Sequence, residues 1–478
     1  MPPSVNIIEE ARVAVPRTAA LPPEPIRLSA LDAQWITLPL IQRVLIFVND
    51  GGSSMPPPFA SAVDALRASL AETLARFPTL AGRIVHVPAT GDAAFDCGTA
   101  GSGGGGGVRF LVAEASDADA ARLAEDDDHD AEAFAGLVPA LDTGFLPAET
   151  LAAQVTRLRG GGLAVGVAMH HAAVDGRSVW RFLRAWAAAC RGEGDADAAA
   201  GPPTTFDRAV IRLPGGGGGG GEELARSVLR KWTPDLPVAA VAGHFIRPNL
   251  SRRTFTVTAQ DMRRLKQRVV AELSPAHTQD AGGTPPPSSF VAVAALAWVS
   301  FVRSKRHPAG IISAADEVYL FFFADCRARL DPPPGDGYFG TCISGCLARA
   351  TAGDLLADDG GVGVAAAAVA EEVRRAAEDP LAGWDWMSTL EQVDMDRLMN
   401  LAGSTRFDAY EAADFGWGPP ARTELVTMNH DGQVVLVAGK GGGVQASVSL
   451  HPAHMDAYKS HFLSYFGLSI TSNPTTHA

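Results

Sequence analysis

Apolar positions recur along the chain with two periods, and together they predict a mixed α/β protein. Alternation of apolar and polar residues predicts strands over residues 5–15 and 444–450. Apolar residues at intervals of three and four predict helices over residues 63–77 and 262–273, and a last helix begins at Pro452. Strands and helices follow one another irregularly, and the sequence contains no dinucleotide-binding glycine fingerprint.

Turn residues and one long apolar stretch refine this picture. Asp431-Gly432 lies between two apolar runs and predicts a hairpin. The glycine runs 103–107 and 215–221 lack the Lys-Ser/Thr pair of a phosphate-binding loop, so we interpret both as surface loops. The apolar stretch 290–302 is too short to span a bilayer and predicts a buried helix, so we expect no membrane association.

Length, charge and cysteine content narrow the class of protein. The chain has 478 residues, so we expect two domains, 1–191 and 222–478, joined by the Gly-, Ala-, Asp- and Pro-rich linker 192–221. A net charge of −13 gives no electrostatic basis for binding nucleic acid. The N-terminus lacks the features of a signal peptide, and five scattered cysteines predict neither a disulfide framework nor a metal site. We therefore expect a cytoplasmic protein with reduced thiols.

The segment His170-His171-Ala172-Ala173-Val174-Asp175-Gly176 lies between a predicted strand and a predicted helix. Strand alternation places His171 on the face of the larger apolar residues and His170 on the face of the small ones. A neutral imidazole at the end of a strand can take a proton from an acceptor hydroxyl, because its ordinary pKa lies near working pH. The alternative is a pair of ordinary histidines followed by Asp175 as a helix N-cap.

A second candidate segment is Asp414-Phe415-Gly416-Trp417-Gly418, far away along the chain. Gly416 and Gly418 permit a tight turn that a larger residue would block. Trp417 carries one N–H donor, which could face a developing oxyanion. The alternative is a structural turn with a packed indole ring.

A third segment carries two arginines, Arg327 and Arg329, which would share a face if they lay in a strand. Either could pair with Asp175, and the sequence does not choose between them. The alternative is that both are solvated surface residues. The segment leads to Tyr338-Phe339-Gly340-Thr341-Cys342.

Together these segments resemble the plant BAHD acyltransferase family over nearly the whole chain. The His171/Asp175 motif and residues 414–418 resemble its two hallmarks, and Leu28-Ser29-Ala30-Leu31-Asp32 resembles its opening. Residues 338–342 resemble the Tyr-Phe-Gly-Asn-Cys signature of the anthocyanin and flavonoid-glucoside malonyltransferase branch. The chain departs from the pattern at Thr341, where that signature has Asn, and at Pro419, where a basic residue is common.

The resemblance implies a fold and an assignment of roles. It implies two similar domains like chloramphenicol acetyltransferase, each a mixed sheet flanked by helices, joined by a long crossover loop, with the active site in a channel at their interface. By resemblance His171 is the general base, Asp175 points away from the substrates and holds an arginine, and residues 414–418 are mainly structural and lie beside the coenzyme A path. Acyl-CoA is a co-substrate, no cofactor or metal is permanently bound, and the protein is expected to be a monomer.

The function that this resemblance favours is malonyl transfer from malonyl-CoA to a sugar hydroxyl of a flavonoid or phenolic glucoside. Arg177 is the candidate for binding the malonyl carboxylate, since a guanidinium can donate two parallel hydrogen bonds to it. Arg264 and Lys266, from a basic cluster over residues 252–268, are candidates for the phosphates of coenzyme A, although such a cluster is equally typical of a solvated helix face. Thr341 is a further donor-binding candidate.

Three alternatives stay open. One is transfer of a hydroxycinnamoyl or other acyl group to a different alcohol or amine, at a site with apolar walls. Another is a non-catalytic protein on the same fold that binds coenzyme A or a metabolite. The third is a carrier-dependent condensation domain, which uses a His-His-x-x-x-Asp-Gly motif but would normally belong to a larger assembly.

Overall fold

The computed structural model describes residues 4–49, 51, 55–98, 106–192, 201–214, 221–241, 247, 249–273, 285–306 and 311–466. The strands are β1 (Asn6–Val13), β2 (Ile26–Arg27), β3 (Ile41–Phe47), β4 (Arg83–Val87), β5 (Asp92–Asp96), β6 (Val108–Asp119), β7 (Ala148–Glu149), β8 (Leu151–Arg159), β9 (Leu163–Met169), β10 (Ser251–Val257), β11 (Glu317–Asp325), β12 (Ile343–Thr351), β13 (Leu398–Gly403), β14 (Arg422–Leu425), β15 (Gln433–Ala438) and β16 (Val444–Leu450). The helices are α1 (Ala30–Ala33), α2 (Phe59–Leu74), α3 (Pro78–Ala81), α4 (Ala120–Glu125), α5 (Ala131–Gly136), α6 (Gly176–Cys190), α7 (Gly221–Trp232), α8 (Ala259–Leu273), α9 (Ser289–Lys305), α10 (Ala352–Leu356), α11 (Gly361–Glu378), α12 (Trp386–Leu390) and α13 (Pro452–Ser464).

The first large sheet carries the His-x-x-x-Asp motif. Its strand order is β1-β6-β8-β9-β3-β14, and only β6 and β8 run parallel. Because β9 is a central strand, both of its faces are buried. Val165 and Val167 pack under α2 and α6, whereas Ala164 faces α4 and α5. The strand therefore delivers the motif into the interior of the molecule rather than to its surface.

The second large sheet has the strand order β10-β16-β15-β13-β11-β12. Helices α8, α9, α11 and α13 pack on it around a core of their own. The predicted apolar helix is α9, and it is almost entirely buried in that core, as its uninterrupted apolar sequence indicates. A third, four-stranded sheet has the order β2-β5-β4-β7. No described helix is both long enough and apolar enough to cross a bilayer.

The two large sheets do not divide cleanly between the halves of the chain. Strand β14, from the second half, pairs with β3 and forms an edge of the first sheet. The linker 192–221 is described only at 192, 201–214 and 221, where Arg208 is buried rather than solvated. The domain boundaries placed at 191 and 222 stay a prediction, and most of both glycine runs lies outside the described residues.

Most predicted elements are confirmed, and the predicted hairpin at Asp431-Gly432 is wrong. The strand before these residues, β14, belongs to the first sheet, whereas β15 after them belongs to the second. Both flanking runs are apolar because both are buried, but they are buried in different sheets. The hairpin in this region joins β15 to β16 through residues 439–443, where Gly441 and Gly442 have positive φ angles.

Candidate active site

The two histidines of the motif leave the end of β9 in different environments. His170 is buried, and its Nδ1 accepts a hydrogen bond from the backbone N–H of Ala172 at 3.2 Å, which caps a 3₁₀ helix over residues 171–173. His171 is half-buried, and its ring stacks on the indole of Trp35 with a centroid distance of 3.7 Å and an interplanar angle of 7°. The two side chains are therefore separated, although β9 ends at Met169 and neither histidine lies in the strand on which the alternation was based.

The chemistry of His171 follows from its surroundings. Burial lowers the pKa of the imidazole to about 4, and this effect outweighs the opposing influences of its own backbone carbonyl and of Asp175. The ring is therefore neutral at neutral pH and can accept a proton. Its Nδ1 receives no hydrogen bond and donates none to any other described residue.

Asp175 is fully buried, and its hydrogen bonds all run away from His171. Its Oδ1 accepts from the backbone N–H of Ser178 at 2.9 Å, which caps α6. Its Oδ2 accepts from Arg327 Nη2 at 2.7 Å and from the backbone N–H of Cys342 at 3.1 Å. Burial alone would raise the pKa of this carboxyl, but the charge of Arg327 and these hydrogen bonds outweigh it and lower the pKa below its usual range.

Of the two arginines, the structure pairs Arg327 with Asp175. The expectation that Arg327 and Arg329 share a strand face is wrong, because both lie in a 3₁₀ helix that begins just after β11 ends. Successive residues of a 3₁₀ helix turn by about a third of a circle, so residues two apart point in different directions. Arg327 is buried, whereas Arg329 is exposed and contacts the backbone carbonyl of Ala376 at 3.5 Å.

The segment 338–342 braces two buried carboxylates through its backbone. Beside the Cys342 bond to Asp175, the N–H of Thr341 donates to Oδ1 of Asp32 at 3.3 Å. The carbonyl of Gly340 accepts from Arg327 at 2.6 Å. Gly340 has a φ of +139°, and a side chain there would collide with the Arg208 guanidinium. The side chain of Thr341 is fully buried inside the protein and is not exposed to solvent.

Residues 414–418 form a self-capped turn. Oδ1 of Asp414 accepts from the backbone N–H groups of Gly416 at 2.9 Å and Gly418 at 3.0 Å. These glycines have φ angles of +106° and +86°, which other residues rarely adopt. Arg191, at the end of α6, donates to the backbone carbonyl of Asp414. These contacts agree with the structural role that the resemblance implies, and that role stays a prediction.

Trp417 is not brought to His171. Its indole packs 5.8 Å from the ring of Phe47, which pairs with Leu163 at the start of β9. Leu163 and Met169 are six residues apart, so about 20 Å of strand separates that end from the motif. One substrate carbonyl cannot contact both side chains, and the hypothesis of Trp417 as oxyanion donor fails on this geometry. Its Nε1 is buried without a hydrogen-bond partner among the described residues.

The donor-binding candidates lie in separate places. Arg177 is exposed at the start of α6 and already forms ion pairs with Asp325 at 3.4 Å and Asp336 at 3.7 Å. Arg264 and Lys266 lie on α8, where Arg264 is exposed and is 3.5 Å from Asp261.

Two other arginines of the basic cluster, Arg252 and Arg253, bind groups of the protein itself. Arg252 donates to the backbone carbonyls of Val426 and Met428, and Arg253 forms an ion pair with Asp128. A phosphate-binding role for the α8 residues stays a prediction.

Three aromatic residues near His171 escaped the sequence analysis. Trp35, Trp386 and Phe323 form a cluster with ring centroids 4.7 Å and 5.3 Å from Trp35. They come from the turn after α1, from α12 and from β11, so no local pattern connects them. The one available signal was that Trp35 lies three residues after the segment 28–32. No group of three or more His, Cys, Asp or Glu residues in the described part of the chain could hold a metal ion.

A neutral histidine after a central strand, a buried Asp–Arg pair behind it and two large mixed sheets define an acyltransferase of the chloramphenicol-acetyltransferase-like class. A family model confirms the assignment, since the description "Transferase family" matches residues 4–464. The chain belongs to this family, the BAHD acyltransferases, and is therefore an acyl-CoA-dependent acyltransferase.

Similar proteins span nearly the whole chain. Phenolic glucoside malonyltransferase 1 of Arabidopsis thaliana is 27% identical over 95% of this chain and 96% of its own length. Malonyl-CoA:anthocyanidin 5-O-glucoside-6''-O-malonyltransferase of the same plant is 28% identical over 96% of this chain and 98% of its own length. A coumaroyl-CoA:anthocyanidin 3-O-glucoside-6''-O-coumaroyltransferase 2 of Arabidopsis thaliana, 27% identical, covers 95% of this chain and 96% of its own length.

Solved structures share the fold. Vinorine synthase superposes with a TM-score of 0.71 at 20% sequence identity, covering 97% of this chain and 98% of its own. TRI101 of F. sporotrichioides, complexed with coenzyme A and T-2, gives a TM-score of 0.64 at 17% identity, covering 91% and 97%. The predicted fold class is thereby confirmed.

Proposed function

We propose that this protein transfers the malonyl group of malonyl-CoA to a sugar hydroxyl of a flavonoid or phenolic glucoside, with His171 as general base. The observation that carries the catalytic assignment is the neutral, half-buried imidazole of His171 at the end of β9. The malonyl donor and the glucoside acceptor are supported by the names of relatives that align over almost the full chain. A cytoplasmic location and a monomeric state remain predictions.

The proposed reaction needs one base and no covalent intermediate on the enzyme. The acceptor hydroxyl gives its proton to Nε2 of His171 while its oxygen attacks the thioester carbon. The C–S bond then breaks, and the sulfur of coenzyme A takes the proton back from the imidazolium. Asp175 does not relay a proton in this scheme, because its hydrogen bonds are committed to Ser178, Arg327 and Cys342.

Transfer of a hydroxycinnamoyl group is the second candidate. In the cluster of Trp35, Trp386 and Phe323 beside His171, the two tryptophans are buried, and the half-buried ring of Phe323 is the one that a planar acyl group can contact. A coumaroyltransferase among the relatives supports the same donor. Arg177, which would bind a malonyl carboxylate, would first have to leave Asp325 and Asp336.

A donor competition tests the proposal directly. Malonyl-CoA, acetyl-CoA and coumaroyl-CoA are supplied at equal concentration with a panel of phenolic glucosides, and the acylated products are separated by mass. We expect malonyl product to dominate. We expect His171→Ala to lose about 10²–10⁴-fold in turnover while still binding coenzyme A, which is the typical contribution of a general base.

Two further variants locate the carboxylate-binding group. Arg177→Ala should shift the preference from malonyl-CoA towards acetyl-CoA, whereas Arg159→Ala, a matched exposed arginine paired with Asp119, should not. Dominance of the coumaroyl product would establish the second candidate. Near-normal turnover in His171→Ala would reject the catalytic assignment for every donor.

A further inference from the structure

The structure raises the question of what orients the ring of His171. In a histidine base, the nitrogen that does not react is commonly held by a carboxylate or carbonyl, which sets the tautomer and the ring plane. Here Nδ1 of His171 has no partner from another described residue. Asp175 is the carboxylate of the motif, but its oxygens accept hydrogen bonds from Ser178, Arg327 and Cys342 instead. The backbone carbonyl of His171 itself acts on the ring, and a contact from another residue would add to it.

The indole of Trp35 provides that contact. Its ring lies parallel to the imidazole, with 3.7 Å between centroids and 7° between planes. Trp35 itself is buried, and Trp386 and Phe323 pack against it at 4.7 Å and 5.3 Å. Because the indole is held by these rings, the imidazole cannot tilt towards it.

The backbone beside Trp35 is also anchored. Ser29 and Asp32 form a capping box at the start of α1, and the N–H of Trp35 donates to the carbonyl of Asp32 at 3.1 Å. The carboxylate of Asp32 is fully buried and accepts from Arg208 Nε at 2.9 Å. The ion pair of Asp32 with Arg208 therefore helps to hold the backbone that carries the indole facing His171.

We infer that Trp35 is a positioning residue for the His171 base, acting through its stacked indole face. The inference rests on the proposed function, in which the acceptor O–H proton passes to Nε2 and turns the imidazole into an imidazolium. The O–H electron pair forms the new ester bond, and the C–S pair leaves with sulfur, which then takes the proton. An indole face attracts a cation more strongly than a neutral ring, so the stack favours the transition state over the ground state.

Two substitutions separate the aromatic face from the volume of the side chain. Trp35→Leu removes the face, and we expect kcat to fall about 3- to 30-fold with the KM values for donor and acceptor within about twofold of wild type. Trp35→Phe keeps an aromatic face, so we expect it to restore most of that loss. If Trp35→Leu does not purify as a folded protein, Trp35→Met replaces it. Trp298→Leu, a fully buried tryptophan of the second core, is the control that loses stability and keeps kcat per folded molecule.

The outcomes discriminate between roles. An unchanged kcat in Trp35→Leu, equal losses in Trp35→Leu and Trp35→Phe, or a change confined to the acceptor KM would each overturn the inference. His171→Ala is measured beside them. If His171→Ala is inactive but Trp35→Leu turns over normally, the inference fails and the proposed function stands, whereas an active His171→Ala removes both.

Discussion

Two buried carboxylates, Asp32 and Asp175, stand behind the residues of the candidate active site, and each is matched by a buried arginine. Asp32 pairs with Arg208 and Asp175 with Arg327. The desolvation of two charges largely cancels their attraction in such a pair, so its presence adds little net stability. Removing one partner is costly, because it leaves the other charge buried alone. We therefore interpret these pairs as devices that hold backbone segments in place.

The residue-scale prediction concerns Asp175→Asn. Asparagine is also a good N-cap, so α6 keeps its cap while Arg327 loses its buried counter-charge. We expect the free energy of unfolding to fall by about 3–5 kcal/mol in urea denaturation. Asp325→Asn, which removes the more exposed partner of Arg327, should cost at most about 1 kcal/mol.

The same pair predicts a pH dependence. The folded pKa of Asp175 is lowered, so its contribution to stability is present above the unfolded value of about 3.9 and is lost as pH falls through the folded pKa. The difference in stability between wild type and Asp175→Asn should therefore shrink below about pH 4. A constant difference down to pH 2 would contradict the charge-based explanation.

At the scale of elements, side-chain caps and glycines place the two hallmark segments. The side chain of Asp175 caps the N-terminus of α6. The side chain of Asp414 caps the turn 414–418, which contacts Arg191 at the C-terminal end of the same helix. The two segments therefore lie at opposite ends of α6. His171 precedes the first turn of the helix, and residues 414–418 contact Arg191 after its last turn. We therefore expect the second hallmark to support the scaffold of the first rather than its chemistry.

The element-scale prediction follows from the turn at 414–418. Gly416→Ala forces a side chain onto a backbone with a φ of +106°, and we expect a loss of about 1–3 kcal/mol in unfolding free energy. The kcat value should stay at wild-type level, because the turn lies near the end of β9 that is far from His171. Gly144→Ala, at a glycine without positive φ and with only an ordinary contact, is the matched control. A large fall in kcat without loss of stability would assign the turn a catalytic role instead.

At the scale of the whole molecule, strand β14 joins the two large sheets. It pairs with β3, while Glu424 at its centre accepts hydrogen bonds from Thr254 of β10 and Ser447 of β16, each at 2.6 Å, and from Arg422 at 2.9 Å. Burial alone would raise the pKa of Glu424, but the influence of nearby His129 and of Arg422 lowers it well below its usual range. One ionised carboxylate thus connects elements of both sheets.

The whole-molecule prediction is that Glu424→Gln destabilises the protein as one unit. We expect a loss of about 3–5 kcal/mol, because Arg422 stays buried without its counter-charge. Tryptophan fluorescence and far-ultraviolet circular dichroism should report a single shared transition. Glu114→Gln, which breaks a more exposed pair with Arg157 on the first sheet, should cost at most about 1 kcal/mol. Two separate transitions would show that the sheets unfold independently.

Local sequence patterns were sufficient to predict many of the strands and helices of this protein. The alternation over residues 163–169 and the helical spacing over 176–190 follow from burial on the two faces of a strand and on one face of a helix. The same alternation predicted that His171 and His170 diverge, and they do, although the strand ends at Met169 before either of them. The two hallmark segments, taken with their order along the chain, were sufficient to assign the family.

Only the tertiary structure decided which distant residues meet. It selected Arg327 rather than Arg329, placed β14 in the first sheet and left Trp417 far from His171. It also stacked Trp35 on the base, a contact that no spacing in the sequence indicates. The physical reason is common to all four. Periodicity records whether a residue is buried, whereas the identity of its neighbours depends on how separate sheets and turns pack together, and residues with the same local pattern can be buried against different partners.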